Sequence, residues 1–269
     1  SRELPWDNHE RYRLEVADIS EITHIPPCDY IVNFAAESHV DNSINESKTF
    51  LKSNTVGVHN LLELLRGKVY ERPVFFHIST DEVYGDIIDG SFSESDRLNP
   101  SNPYAASKAS SDHFVMSYHN TYGLPVLITN CSNNYGPRQH REKLIPKTIN
   151  NILDGKKIPV YSKGENIRDW IYVEDHCAGL LGVYHVGKIG QKYNIGGECE
   201  MRNIDIVKLI IKLMNASEDL IEFVEDRPGH DLRYAIDNSK ILKDVTFHPQ
   251  YDIEKGLKKT IEWYEKNRD

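Results

Sequence analysis

An apolar run, Val74–Ile78, ends abruptly in Ser79-Thr80-Asp81-Glu82, two hydroxyls followed by two carboxylates. The run is too short for a helix and reads as a buried strand. In a parallel α/β sheet ligands sit beyond the carboxyl ends of the strands, so these four side chains belong in a crevice. One loop later, Tyr104-Ala-Ala-Ser-Lys108 puts a phenol and an ammonium group on one face of a helix. A free tyrosine, with a pKa near 10, is a poor base at neutral pH, and a lysine one turn away stabilises its phenolate. Such a pair accepts a proton from an alcohol, and a hydroxyl from Ser79 or Thr80 supplies a second hydrogen bond to the reacting oxygen. Two adjacent carboxylates divide labour when their pKa values are pushed apart, one protonated as an acid and one ionised as a base. Removal of water across a carbon–carbon bond needs that division. The competing explanations are a solvated helix face for Tyr104/Lys108 and an N-cap for Thr80-Asp81-Glu82. The segment Val83-Tyr84-Gly85-Asp86 is not expected to be helical, which argues against the cap.

The elements that must position these groups alternate. The segment from Cys28 to Ala36 reads as a buried strand ending in small residues, and Phe50–Arg66 as a helix. Tyr104–Tyr118 reads as a helix and Pro125–Asn130 as a strand; this alternation implies a parallel sheet of βαβ units. Upstream, Arg13–Val16 is a short extended candidate. Beyond Pro137 the spacing predicts helices over Leu144–Leu153, Asp175–Val186, Ile204–Met214 and Ile253–Tyr264. Short strands are expected at Ile158–Tyr161, Ile167–Val173 and Tyr193–Ile195. The expected fold is α/β, a Rossmann-like doubly wound parallel sheet with a smaller α/β lobe.

Composition excludes several function classes. The 269 residues carry a formal charge of −9, with acids and bases interspersed, so no basic stripe for nucleic acid is present. No apolar stretch reaches membrane-spanning length. Cys28, Cys131, Cys177 and Cys199 are scattered, without metal-ligand or disulfide spacing, which fits a reducing cytoplasm and no metal. An anionic substrate must therefore be met by a few local cations.

Several motifs together carry a resemblance. They are Ala35-Ala36-Glu37-Ser38-His39-Val40-Asp41, Ser79 to Gly85, Tyr104-x-x-x-Lys108 and Asn130 to Pro137. To these are added Glu142-Lys143-Leu144-Ile145-Pro146, Ile167-Arg168-Asp169-Trp170 and Arg227-Pro228-Gly229-His230-Asp231. The chain resembles the extended short-chain dehydrogenases/reductases over nearly its whole length and, within them, the dTDP-glucose 4,6-dehydratases. The Thr-Asp-Glu triplet separates these from the related sugar-nucleotide epimerases. The resemblance implies that Tyr104, assisted by Lys108 and Thr80, deprotonates the glucose 4-hydroxyl while NAD accepts a hydride. It further implies that Glu82 removes the C5 proton and that Asp81 protonates the departing 6-hydroxyl.

By the same likeness, NAD is expected at Asp18, Ile19, Ala35, Ala36, Ser38, Ser53, Tyr104, Lys108 and Asn134. The nucleotide sugar is expected at His39, Thr80, Asn133, Lys143, Leu144, Pro159, Tyr161, Arg168, Asn203, Arg227 and His230. Arg168, Arg227 and His230 are the cations a diphosphate demands; a cap on the following helix is the plainer explanation of Asn203. The implied domains are an NAD-binding part, 1–134 with about 167–196, and a nucleotide-sugar part, 135–166 with 197–269. A homodimer packed through the helices Phe50–Arg66 and Tyr104–Tyr118 is implied as well. No G-x-G-x-x-G turn occurs, and the chain opens on Ser1, so a segment upstream carrying that turn is expected. The alternatives are a UDP-glucose dehydratase, a 4-epimerase, and a silent NAD-binding scaffold.

Overall fold

Phe75 and Phe76 point to opposite faces of one strand, and each face is covered by helices. The computed structural model describes residues 9–68 and 72–268. In chain order the elements are β1 (Tyr30–Asn33), α1 (Val40–Asn45), α2 (Ser47–Phe50), a π-helical stretch (Leu51–Val56), α3 (Gly57–Arg66) and β2 (Val74–Thr80). A single 3₁₀ turn (Asp81–Tyr84) precedes α4 (Pro103–Tyr122), β3 (Val126–Cys131), β4 (Asn133–Tyr135), α5 (Leu144–Leu153) and β5 (Ile158–Tyr161). Then come β6 (Ile167–Tyr172), α6 (Val173–Val186), β7 (Gln191–Ile195), β8 (Glu200–Arg202) and α7 (Asn203–Leu213). A second 3₁₀ turn (Glu218–Leu220), β9 (Ile221–Val224), α8 (Ser239–Val245) and α9 (Ile253–Lys266) complete the chain.

The main sheet runs β1-β2-β3-β7, parallel throughout. On one face Phe75, Val126 and Ile128 pack against Val58, Leu61, Leu62, Leu65 and Val115 of α3 and α4. On the other, Phe76, Ile78 and Leu127 meet Leu180 and Val183 of α6 and Ile241 of α8. With both faces covered, β2 is buried along nearly its whole length, which is why it reads as a continuous apolar run. A second sheet, β4-β6-β8, lies with α5, α7 and α9 around Tyr135, Trp170, Ile206 and Leu257, and the pair β5-β9 packs through Ile158 and Val160 on Ile204, Val207 and Ile211 of α7.

Three expectations change. Arg13–Val16 forms no strand; Leu14 and Val16 are 68% and 91% exposed, so nothing pays for ordering them there. Only Tyr30–Asn33 of the segment from Cys28 to Ala36 is strand, because the pairing with β2 ends at Asn33↔His77. The helix expected over Phe50–Arg66 starts at Ser47 and carries the π-helical stretch. That stretch turns Asn54 and Thr55 inward. Asn54 Oδ1 then accepts from Glu37 N (2.8 Å), while its Nδ2 donates to Glu37 O (3.0 Å) and Ser107 Oγ (2.8 Å). One side chain thereby fastens the loop after β1 to α4.

Candidate active site

The tip of β2 is built by its own last residue. Thr80, in extended conformation, caps the turn Asp81–Tyr84: its Oγ1 accepts from Glu82 N (3.3 Å) and donates to Asp81 Oδ1 (3.2 Å). The expectation that this segment is not helical is therefore corrected. Capping and an acid pair coexist, because one short turn both uses the Thr80 hydroxyl and fans the two carboxylates apart. Gly85 closes the turn at φ +85, where a Cβ would collide with the Asn99 carbonyl.

Asp81 is 2% exposed, and its Oδ2 has no partner. Burial, aided by the carboxylates of Glu82 and Asp169, lifts its pKa well above the ordinary carboxylate value. Glu82 lines the neighbouring cavity, with Oε2 also unpartnered. The two acids thus sit in different surroundings, one sealed and with its pKa raised, one facing the cavity.

Asn102 caps α4 by accepting from Ala105 N (2.9 Å), and Pro103 begins it, so Tyr104 enters the site on the first turn. Its phenol is buried, with the Thr80 hydroxyl beside it. Lys108 is buried too, but its Nζ donates to Ile78 O (2.8 Å) and stands 3.5 Å from His77 Nε2. The expectation that Lys108 pulls the phenol down is not met by direct contact. Burial and the charge of Glu82 dominate and hold Tyr104 well above the usual phenol value.

A cavity opens beside Glu82 and gathers His39, Asn133, Lys143, Leu144, Pro159, Tyr161, Arg168, Asn203, Arg227 and His230. These come from α1, β4, α5, β5, β6, α7 and the 225–230 loop, which only folding brings together. Arg168 is buried, spends its donors on the carbonyls of Ile167, Leu232 and Asp231, and lies 4.2 Å over the Tyr234 ring. Arg227 Nη1 donates to Asp41 Oδ1 (2.7 Å), and Tyr161 OH to Asp41 Oδ2 (2.9 Å). Lys143 Nζ donates to Ser38 O (2.6 Å), and burial lowers its pKa. His39 pairs with Glu142 (3.3 Å) and His230 with Asp226 (2.6 Å). Asn203 makes no cap to α7; its Oδ1 is buried and unpartnered in the cavity, as is Asn133 Oδ1. Buried amide oxygens without partners are rare enough to point to a ligand.

Asp18, Ile19, Ala35 and Ser53 line a second groove together with Ala17, Glu37, Thr49 and Lys52. Asp18 accepts from Ser20 N (2.9 Å) and Ser20 Oγ (2.7 Å) and pairs with Lys52 (3.0 Å), which together hold its carboxyl at about 2. Ala35, Ala36 and Ser38 are exposed at the end of β1, with Ala35 N bonded to Asn33 Oδ1 and Ser38 O to Lys143. Asn134, expected on the cofactor side, lines the first cavity, and its Oδ1 is likewise unpartnered. Sequence reasoning did not single out Asn54, Asp41, His77 or Asp112. Polar residues inside apolar periods (His77 within Val74–Ile78, Asp112 one turn past Lys108) were the available signal.

A profile of the family described as GDP-mannose 4,6 dehydratase matches residues 7–260. The chain is 46% identical to the dTDP-glucose 4,6-dehydratase of Neisseria meningitidis, covering 97% of this chain and 81% of that one. It is 47% identical to the enzyme of that name from Escherichia coli, covering 98% and 82%. Among solved structures, a double mutant of the Streptomyces venezuelae dTDP-glucose 4,6-dehydratase DesIV, with NAD bound, superposes with a TM-score of 0.93. That match has 42% identity and covers 98% of this chain and 83% of the other. At that identity, over nearly all of its length, the chain belongs to the family of the dTDP-glucose 4,6-dehydratases.

Proposed function

We infer that the chain catalyses NAD-dependent dehydration of dTDP-glucose to dTDP-4-keto-6-deoxyglucose. The observation that carries the reading is the asymmetric acid pair, with Asp81 sealed and its pKa raised by burial beside a cavity-lining Glu82. Tyr104, beside the Thr80 hydroxyl, takes the proton of the sugar 4-hydroxyl, and the charge of Lys108 on the same helix face favours the phenolate. The 4-ketone so formed acidifies C5; Glu82 removes the C5 proton, and Asp81 delivers its proton to the departing 6-hydroxyl as water. When bound, NAD would accept the C4 hydride and give it back to C6, while Glu82 returns its proton to C5.

NAD fits the residues present. Asp18, Ile19, Ala35, Ala36, Ser38 and Ser53 would hold its adenosine side, and Tyr104, Lys108 and Asn134 its reactive side. The orphaned Asn134 Oδ1 and the exposed Ala35 and Ala36 support that placement. Arg168, Arg227 and His230 would meet the diphosphate, and Lys143, Leu144, Pro159 and Tyr161 the base, with His39, Asn133 and Asn203 completing the contacts. In this reading residues 1–134 with about 167–196 form the dinucleotide part, and 135–166 with 197–269 the nucleotide-sugar part.

Exposed Leu51, Val56, Phe114 and Tyr122 on the helices flanking the sheet support a homodimer through that face; a monomer by light scattering would reject it. Among the described residues no helix is long and apolar enough to cross a membrane. Together with four unpaired cysteines this supports the cytoplasm as its compartment.

The test is to incubate the protein separately with dTDP-, UDP- and GDP-glucose and to weigh the products. Loss of one water from the dTDP sugar is expected. A product of unchanged mass would make it an epimerase, and no turnover with NAD bound would leave only a binding module.

A further inference from the structure

Beneath Lys108 lies a buried polar cluster that the proposed chemistry does not use. Asn33 Oδ1 accepts from Ala35 N (3.2 Å), which orients its amide so that Nδ2 donates to His77 Nδ1 (3.1 Å). His77 therefore carries its proton on Nε2. That nitrogen stands 3.5 Å from both Lys108 Nζ and Asp112 Oδ1. Asp112 is one helical turn beyond Lys108, and its other oxygen accepts from Asn130 Nδ2 (3.1 Å). All three side chains are nearly sealed: His77 0%, Lys108 3% and Asp112 2% exposed. A lysine that dry surrenders its proton unless an anion is close, and the reaction described above needs it charged.

We propose that Asp112, held by Asn130 and facing His77, is the positioning counter-charge that keeps Lys108 protonated beside Tyr104. The inference rests on the role given to Tyr104 and Lys108 above. Burial pulls the lysine down while Asp112 pulls it up, in keeping with the geometry; burial also raises Asp112, against which Lys108, Ser79 and Asn130 favour its charged form. Asp112 reaches no ligand itself, since neither ligand-lined cleft includes it.

The consequence is a coupled titration. When the Tyr104/Lys108 pair loses one proton, the loss falls either on the phenol, giving the active form, or on the ammonium, giving an inactive one. Asp112 favours the first outcome because its charge acts on the lysine, one helical turn before it. The other groups facing the pair are Glu82, Asp81 and Cys131 around Tyr104, and His77 and Cys131 around Lys108. Tyr84 and Lys192 face Asp112.

Asp112→Asn is then expected to do two things together. The plateau of kcat/KM for dTDP-glucose falls at least about tenfold, the factor for one unit of pKa, and the acid limb moves to lower pH. Asp112→Glu restores both. A lowered plateau with an unmoved limb marks a merely structural residue and overturns the proposal, as does an unchanged plateau. Should Asp112→Asn not fold, urea titration of Lys108→Met and Lys108→Met/Asp112→Asn decides without any turnover. Charge pairing requires the double variant to be more stable than Lys108→Met, whose Asp112 is left uncompensated, and a double variant no more stable refutes the pairing. This outcome is independent of the substrate, so it separates failure of the pairing from failure of the dehydratase reading.

Discussion

Asp81→Asn is expected to stabilise the protein while disabling it. In the folded state Asp81 is buried, and its Oδ2 has no partner, so its pKa stands well above the 3.8 of the unfolded chain. Between those two values the folded state holds a proton that the unfolded state has lost. Stability attributable to this group therefore falls as pH rises through that window. At pH 7 the cost cannot exceed about 1.4 kcal/mol for each unit between 3.8 and 7, or about 4 kcal/mol. Asparagine keeps the shape without the acid and escapes most of that cost. Thermal melts near neutral pH should show Asp81→Asn above the parent by about 2–4 °C per kcal/mol regained. Near pH 4, where the unfolded Asp81 has regained much of its proton, the gap should nearly close. Single-turnover assays should show water loss slowed by about 10²–10⁴, the contribution of a general acid, with oxidation at C4 preserved. A variant that melts with the parent at neutral pH, or keeps its advantage at pH 4, would refute the reasoning.

Other substitutions test neighbouring parts of the argument. Glu82→Gln should also retain C4 oxidation and stop before elimination, so reduced cofactor and an unreleased 4-keto sugar accumulate; loss of oxidation with elimination kept would reverse the assigned roles. Arg227→Met removes one charged donor, now on Asp41 at 2.7 Å, and should weaken dTDP binding by calorimetry about 10- to 100-fold, matching a charge-assisted hydrogen bond; unchanged affinity would take Arg227 out of the site. His176 is buried with Nε2 unpartnered and is pushed down to about 4 from 6.5. Its folded form resists protonation, so the parent loses about 3 kcal/mol as pH falls from 6.5 towards 4. His176→Gln should flatten that part of the stability profile, measured by urea midpoints, and an identical acid slope would dismiss it.

The amino-acid sequence by itself determined which chemistry was on hand and roughly where the strands and helices fall. A continuous apolar run must be buried on both faces, and β2 is; hydroxyls and acids following it must lie at the strand's carboxyl end, and Thr80, Asp81 and Glu82 do. Helix α4 was legible from Asn102-Pro103 at its start and Gly123 at its end. What only the tertiary structure decided is environment. No local pattern distinguishes Asp81 from Glu82, yet packing against Asp169 and Arg168 seals one and leaves the other on the cavity. Likewise the π-helical stretch that turns Asn54 inward depends on its partners Glu37 and Ser107, distant in the chain. The cavity residues, drawn from His39 to His230, converge only when the second sheet docks beside the first. Dielectric and charge are properties of the surrounding atoms, and the chain order does not carry them.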